Sequence, residues 1–193
     1  MNADDIRIKR TAEFIGSDGR ILDIGTKNGK LLEAVGGIEK IAIDINPDYV
    51  AEAIKRKNVT GQVASVYKMP FDDGIFDCVI LTEVLEHLDM PNEAIREISR
   101  ITRGRLILST PNNCWARKIK HKLLGKPGLI SPDHLKEYSW KEVKNMVEKH
   151  GFKLKRFTGL GFFLTWKPYP LWEPLGTLFP RLSADMLMEF EKV

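Results

Sequence analysis

The nine residues Ile21 to Gly29, ILDIGTKNG, leave this chain few folds to choose from. Ile21, Leu22 and Ile24 are apolar and β-favouring, with Asp23 set among them. Gly25 breaks the run, Thr26, Lys27 and Asn28 are polar, and Gly29 opens the periodic segment Lys30 to Val35. That order reads as a buried strand, a tight turn and a helix start. Glycines at such a turn let backbone N–H groups approach a ligand and let the helix pack closely on the strand. A helix start also presents unpaired N–H donors and partial positive charge, which suit an anionic or oxygen-rich ligand. A nucleotide-type cofactor is therefore the first expectation.

The rest of the chain alternates in the same way. Ala3 to Ile15 reads as a helix ending near Gly16. After the turn, Lys40 to Ile45 is a second strand, and Pro47 fits the first turn of a helix running to about Lys57. Gly61 to Tyr67 is a third strand, and Phe76 to Thr82 a fourth, almost continuously apolar as a strand buried on both faces must be. Pro91 starts a helix to about Thr102, and Arg105 to Ser109 is a fifth strand. Ser139 and Glu142 stand at capping-box spacing ahead of a helix Trp140 to His150, with Gly151 as its stop. Phe152 to Phe157 is a sixth strand, and Asp185 to Val193 alternates well enough for a last one. Strands alternating with helices predict βαβ units in a parallel sheet, an α/β fold.

A chain of 193 residues defaults to one domain, 1–193, with room for a full core. The excess of 30 Lys and Arg over 26 Asp and Glu is too small to argue for nucleic acid. Cys78 and Cys114 make no disulfide framework, and Cys78 reads as a small core residue. The charged start (Asp4, Asp5, Arg7, Lys9, Arg10) is unlike a signal peptide, and no apolar run is long enough for a bilayer. A cytoplasmic protein with no transmembrane segment is the expectation.

Asp44 ends the second strand about twenty residues after the turn, where a carboxylate accepts both hydroxyls of a ribose. The bland role for it is a cap on the following helix. With that acid in place, DIGTKNG, IDINPDYV, VYKMPFDDGIFDCVILTEVLEHL and LILSTPN, in this order and spacing, resemble the class I S-adenosylmethionine-dependent methyltransferases. Within them the chain is similar to the broad subgroup with EVLEH after strand four. The resemblance covers about Ile21 to Phe157. It implies a Rossmann-like sheet of seven strands, mostly parallel, with helices on both faces and the last strand antiparallel. It implies S-adenosylmethionine as cofactor, bound through Asp23, Gly25, Thr26, Gly29, Asp44, Ile45, Ser65, Val66, Met69 and Thr82. Two positions depart from the family pattern. Lys27 stands where glycine is usual, and Ser65 stands where an aspartate usually accepts from the adenine amino group. A neutral hydroxyl makes the weaker hydrogen bond.

Methyl transfer from a sulfonium needs position more than a nucleophile triad, and the chain holds no convincing triad. A hydroxyl acceptor needs its proton removed, and His87 and His134 are the candidate catalytic bases. Each has a competing structural role in packing or capping. The expected acceptor is a small molecule, and no bound metal is expected. An alternative is an RNA 2′-O-methyltransferase. Glu83, Glu86, His87, Asp133 and His134 resemble the ExxEH and later DH of the small-RNA terminal enzymes, and with them would come a metal site. A further alternative is a non-catalytic cofactor- or partner-binding relative, weakened at Lys27 and Ser65. Residues 110–138 are expected to form a lid insertion around the basic stretch Trp115 to Lys126, for which a solvated helix is the ordinary reading. Residues 159–180 carry Phe162, Phe163, Trp166, Tyr169, Trp172 and Phe179 among four prolines, which argue against regular structure and for part of an apolar pocket.

Overall fold

A computed structural model describes residues 3–16, 19–114, 119, 122, 133–160 and 169–193. The element order is α1 (Ala3–Ile15), β1 (Arg20–Ile24), α2 (Lys30–Ala34), β2 (Glu39–Asp44), α3 (Pro47–Ala53), β3 (Val59–Val63), β4 (Phe76–Thr82) and a 3-10 turn (Leu85–His87). It continues with α4 (Pro91–Ile101), β5 (Thr102–Pro111), α5 (Trp140–Glu148), β6 (Phe152–Leu160), α6 (Tyr169–Leu178), a second 3-10 turn (Pro180–Leu182) and β7 (Asp185–Lys192). The seven strands form one sheet in the order β3-β2-β1-β4-β5-β7-β6. β1 to β5 pair in parallel, and β7 runs antiparallel to both of its neighbours, as the sequence pattern and the resemblance predict.

Successive side chains of a strand point to opposite faces, so each central strand feeds two cores. In β4, Cys78 and Ile80 join Ile21, Leu32, Ala42 and Ala53 on the face covered by α1, α2 and α3. Val79 and Leu81 join Leu22, Ile95, Ile98 and Val143 on the face covered by α4 and α5. All four of these β4 residues are fully buried. Burial on both faces contributes about 1.5–3 kcal/mol per large aliphatic side chain. Cys78 is one of these core residues, as its apolar surroundings in sequence predict.

Several boundaries move. α3 stops at Ala53, not near Lys57: after Ile54 the bonds tighten to i, i−3 (Lys55 N–H to Glu52, Arg56 N–H to Ala53), and Asn58 at φ 60 then leads the chain into β3. The third strand is Val59–Val63 instead of Gly61 to Tyr67. It is an edge strand with only Val59 buried, so the apolar signal of Val66 and Tyr67 belongs to the loop that follows. The described residues of 159–180 are more regular than their prolines suggest. Gly159 and Leu160 finish β6, and Tyr169–Leu178 is helical with Pro174 inside it. Pro170 falls in the first turn, where a missing N–H costs nothing, and a single interior proline removes one hydrogen bond from a two-to-three-turn helix. Phe162, Phe163 and Trp166 lie outside the described residues, as does nearly all of Trp115 to Lys126.

Candidate functional site

The chain builds β1, β2 and β3 to one side and then crosses to β4 on the other side of β1. Ligands of open α/β sheets bind at the strand carboxyl ends beside such a reversal. A cleft of ≈ 780 Å³ opens there, lined by residues from the ends of β1, β2 and β4, from the loops after them, and from α1. The turn after β1 forms one wall. Gly25 has φ 73, and a Cβ on it would lie 2.4 Å from Val84 Cγ2, so the residue is glycine on two counts. Lys27 also has a left-handed backbone, φ 53, which costs a residue with a side chain about 1–2 kcal/mol. Its side chain is exposed, and its N–H donates to Asp44 Oδ2 at 3.3 Å, so the turn keeps its shape without glycine. Gly29, at φ 69, does not line the cleft. A Cβ there would meet Ala53 Cα at 2.9 Å, so this glycine serves the contact of α2 with α3. α2 is only five residues long, and the polar donors of this wall belong to the turn more than to a helix.

Two carboxylates form the floor. Asp23 is 2% exposed, and its Oδ1 and the Thr26 Oγ1 are buried without a hydrogen-bond partner among the described residues. Burial raises the Asp23 carboxyl to about 7, with the nearby Thr26 hydroxyl opposing and the charge of Asp44 adding. Asp44 accepts from Lys27 N–H through Oδ2 and from Asn46 N–H at 2.9 Å through Oδ1. The cap of α3 is Asn46, whose side chain accepts from Asp48 N–H. Asp44 is thus not the helix cap; it lines the cleft, and each of its oxygens can accept beyond the one bond it makes.

Ile45, Tyr49, Ser65, Val66 and Tyr67 line the side next to β2 and β3. Ser65 Oγ accepts from Tyr67 N–H at 3.3 Å. Met69 turns away into the core and does not line the cleft. Its backbone is held from below: Glu97 accepts its N–H at 2.8 Å, and Arg100 donates to the carbonyls of Met69 and Phe71.

At the end of β4, Thr82 lines the cleft and Glu83 takes a left-handed backbone, φ 55. Its carboxylate pairs with Arg7 of α1 at 3.2 Å and accepts from Ser109 Oγ at 2.7 Å. The 3-10 turn then presents Glu86 and His87. Glu86 is 1% exposed and accepts from Thr110 Oγ1 at 2.9 Å. Burial pushes the carboxyls of both Glu83 and Glu86 upward. His87 Nδ1 lies 3.0 Å from the Asp133 carbonyl, so Nδ1 carries the proton and Nε2 has the lone pair. The His134 ring stands edge-on to it, centroids 5.0 Å apart.

Of the residues expected from sequence, Asp23, Gly25, Thr26, Asp44, Ile45, Ser65, Val66, Thr82, His87 and His134 line one cleft, and Gly29 and Met69 lie behind it. Sequence reasoning missed Arg7 and Thr11. Their i, i+4 spacing puts them on one face of α1, a signal visible only once α1 is known to cross the cleft.

A family model described as a methyltransferase domain matches residues 5–156. The demethylmenaquinone methyltransferase of Mycobacterium tuberculosis is 32% identical over 114 residues, which are 55% of this chain and 48% of that one. The chain thus spans about half the length of that curated relative, and less of another. Among solved structures, magnesium protoporphyrin IX methyltransferase from Synechocystis, with bound S-adenosylhomocysteine, has a TM-score of 0.71 at 16% identity, covering 99% of this chain and 84% of that one. A [4+2]-cyclase has a TM-score of 0.69 at 15% identity, covering 97% and 80%. Those two likenesses establish the fold, and the second marks how far chemistry varies upon it.

Proposed function

The chain belongs to the methyltransferase-domain family, and from that membership we propose that it moves a methyl group from S-adenosylmethionine to a hydroxyl of a small-molecule acceptor. The observation that carries the reading is the pair of acids on the cleft floor. Asp44 keeps lone pairs for two ribose hydroxyls, and Asp23 and Thr26 keep buried oxygens for the amino group of the cofactor's amino-acid end. Orphaned buried oxygens are rare, and they fit a ligand rich in N–H and O–H donors. Ser65, Val66 and Ile45 would border the adenine, and Gly25 and Thr82 the thioether side. The cofactor, when bound, supplies a methyl group on an electron-poor sulfur. The chain's own part is position and proton handling. His87, with Nδ1–H fixed on a carbonyl, offers Nε2 as the base for an acceptor O–H, and His134 flanks it. Similarity to a demethylmenaquinone methyltransferase supports a small-molecule acceptor. The exposed side chain of Lys27 leaves the turn intact, which argues against a relative disabled there.

The reading takes 1–193 as one methyltransferase domain; of the expected insertion 110–138, Thr110 and Pro111 belong to β5 and Tyr138 is buried, so the proposed lid over the acceptor narrows to 115–126. S-adenosylhomocysteine should raise the melting temperature, as a ligand of the native state does, while NAD should not. Asp44→Ala should weaken the cofactor roughly ten- to a hundredfold, the effect of losing charged hydrogen bonds of about 1.5–3 kcal/mol. Calorimetry giving NAD the tighter binding would reject the reading. Residues 115–126 should resist protease only when both acceptor and S-adenosylhomocysteine are present, and cleavage indifferent to them removes the lid.

A further inference from the structure

One group of side chains at the acceptor end has a geometry that acid–base work alone does not require. A carboxylate oxygen of Glu86 and one ring nitrogen each of His87 and His134 lie within 4.8 Å of one another. Glu83, which the sequence spacing groups with them, is occupied elsewhere: Arg7 and Ser109 hold its carboxylate. We propose that Glu86, His87 and His134 bind one divalent transition ion of the zinc type, leaving at least one coordination position open to the cleft.

Three observations support a built site. The donor set is two imidazoles and one carboxylate, which favours zinc and its neighbours over magnesium. The second layer is the one that metal ligands usually have. His87 Nδ1 is tied to the Asp133 carbonyl, which leaves Nε2 as its donor atom, and Thr110 Oγ1 fixes Glu86 Oε2. The two segments that carry the ligands are also fastened together. The Glu86 carbonyl accepts from Leu135 N–H at 2.9 Å and from Lys136 N–H at 3.3 Å, on the far side of His134. Zinc–ligand bonds of ~2.0–2.2 Å need the donor atoms to close by roughly an ångström, which the exposed ring of His87 can supply by a small rotation.

The inference rests on the hydroxyl-acceptor reading for its consequence, though not for its test. With the ion bound, both imidazoles are ligands, and the ion takes over the part given above to His87. The acceptor oxygen coordinates, its O–H bond breaks, and the proton leaves to water at the exposed mouth. The oxygen then forms its bond to the methyl carbon as the carbon–sulfur bond breaks and sulfur keeps that electron pair. A metal-bound O–H ionises far more readily than a free one.

The test reads binding. The full chain, stripped with a chelator, is titrated with Zn²⁺, with Co²⁺ as a spectroscopic substitute, and with Mg²⁺ as control. One Zn²⁺ should bind per chain and raise the melting temperature, Co²⁺ should show the absorption of a low-coordinate nitrogen–oxygen site, and Mg²⁺ should do neither. His134→Gln and His87→Gln should each weaken Zn²⁺ at least tenfold and leave S-adenosylhomocysteine affinity within twofold. Thr110→Val, which touches only the second layer, should weaken the ion roughly ten- to a hundredfold. Zn²⁺ binding that is absent, or unchanged in both histidine variants, overturns the proposal. A protein that binds Zn²⁺ here but ignores S-adenosylhomocysteine keeps the site and loses the methyltransferase reading. If a variant fails to fold, the wild-type Co²⁺ spectrum still decides, since absorption characteristic of cobalt–water alone also overturns the site.

Discussion

Asp23 is the residue on which pH acts most directly. Its carboxyl stands at about 7 instead of the ordinary 3.8, chiefly because it is buried. The native state therefore binds this proton more tightly than the unfolded chain does. Below both values the group contributes nothing. Between about pH 4 and 7 the unfolded chain ionises and the native one resists, so stability falls as pH rises, and the loss is complete above 7. That difference sets a ceiling of about 4 kcal/mol. An amine at the cofactor's amino-acid end reverses the balance, since it favours the ionised acid. We predict that S-adenosylhomocysteine binds more tightly as pH rises from 6 to 8, with proton release visible as a buffer-dependent calorimetric heat. Asp23→Asn should remove that dependence and weaken the ligand, yet melt higher than wild type at pH 8 without ligand. A variant that keeps the pH dependence assigns the proton elsewhere. Lys27 and Glu83 show a second residue-level trait: both hold left-handed backbones without being glycine, each at the cleft and each with hydrogen bonds that fix it. Strain of this kind gathers at functional sites.

Among the elements, α4 does more than cover the sheet. Arg100 near its end donates to Glu97 at 2.8 Å, to Asp73 at 2.7 Å and to two loop carbonyls, and these carboxylates raise its pKa. One guanidinium thus clamps residues 69–73, just beyond Ser65 and Val66 in the cleft wall. Arg100→Ala should destabilise the fold by about 2 kcal/mol, discounted for partial exposure, and weaken the cofactor about tenfold through a loosened loop. Amide exchange should quicken at residues 64–73 before it does so in β4, and unchanged exchange there would disprove the clamp. Glu97 and Arg100 are a local i, i+3 pair, but their reach to Asp73 and to the Met69 and Phe71 carbonyls joins residues about thirty apart and was not legible beforehand. What was legible had local causes. β4 matches its expected span because continuous burial leaves an unbroken apolar run, and α5 starts where the Ser139–Glu142 capping box puts it. β3 was misplaced because an edge strand shows little apolar pattern, and α6 was missed because Pro170 in its first turn and Pro174 in its interior both look like breakers in sequence. Asp44 is marked by its spacing from the glycine turn, and Asp23 by the resemblance, which places it at the start of the glycine motif. Arg7 is not marked, since its role comes from where α1 lies.

For the molecule as a whole, the sheet concentrates its chemistry at one edge of its middle: the reversal between β1 and β4 opens the cleft, and both cores lie behind it. The far side of the sheet depends on β7. It lies between β5 and β6, paired antiparallel with both. Glu189 of β7 also receives Arg105 from β5 and Arg156 from β6, so the three strands share one buried carboxylate. A chain ending before Asp185 should then lose β6 along with β7 and expose the apolar flank of β5. We expect it to aggregate or to melt at much lower temperature. A soluble truncated chain with native β6 exchange protection would show the pairing to be dispensable.

That placement has a consequence in time as well as in space. A ribosome delivers β6 before β7, yet β6 has no partner in the sheet until the strand that separates it from β5 has emerged. The half that forms the cleft can settle while synthesis continues, whereas the other half waits on its last segment. Until then the growing chain carries an open flank on β5 that a chaperone, or a neighbouring nascent chain, can reach first.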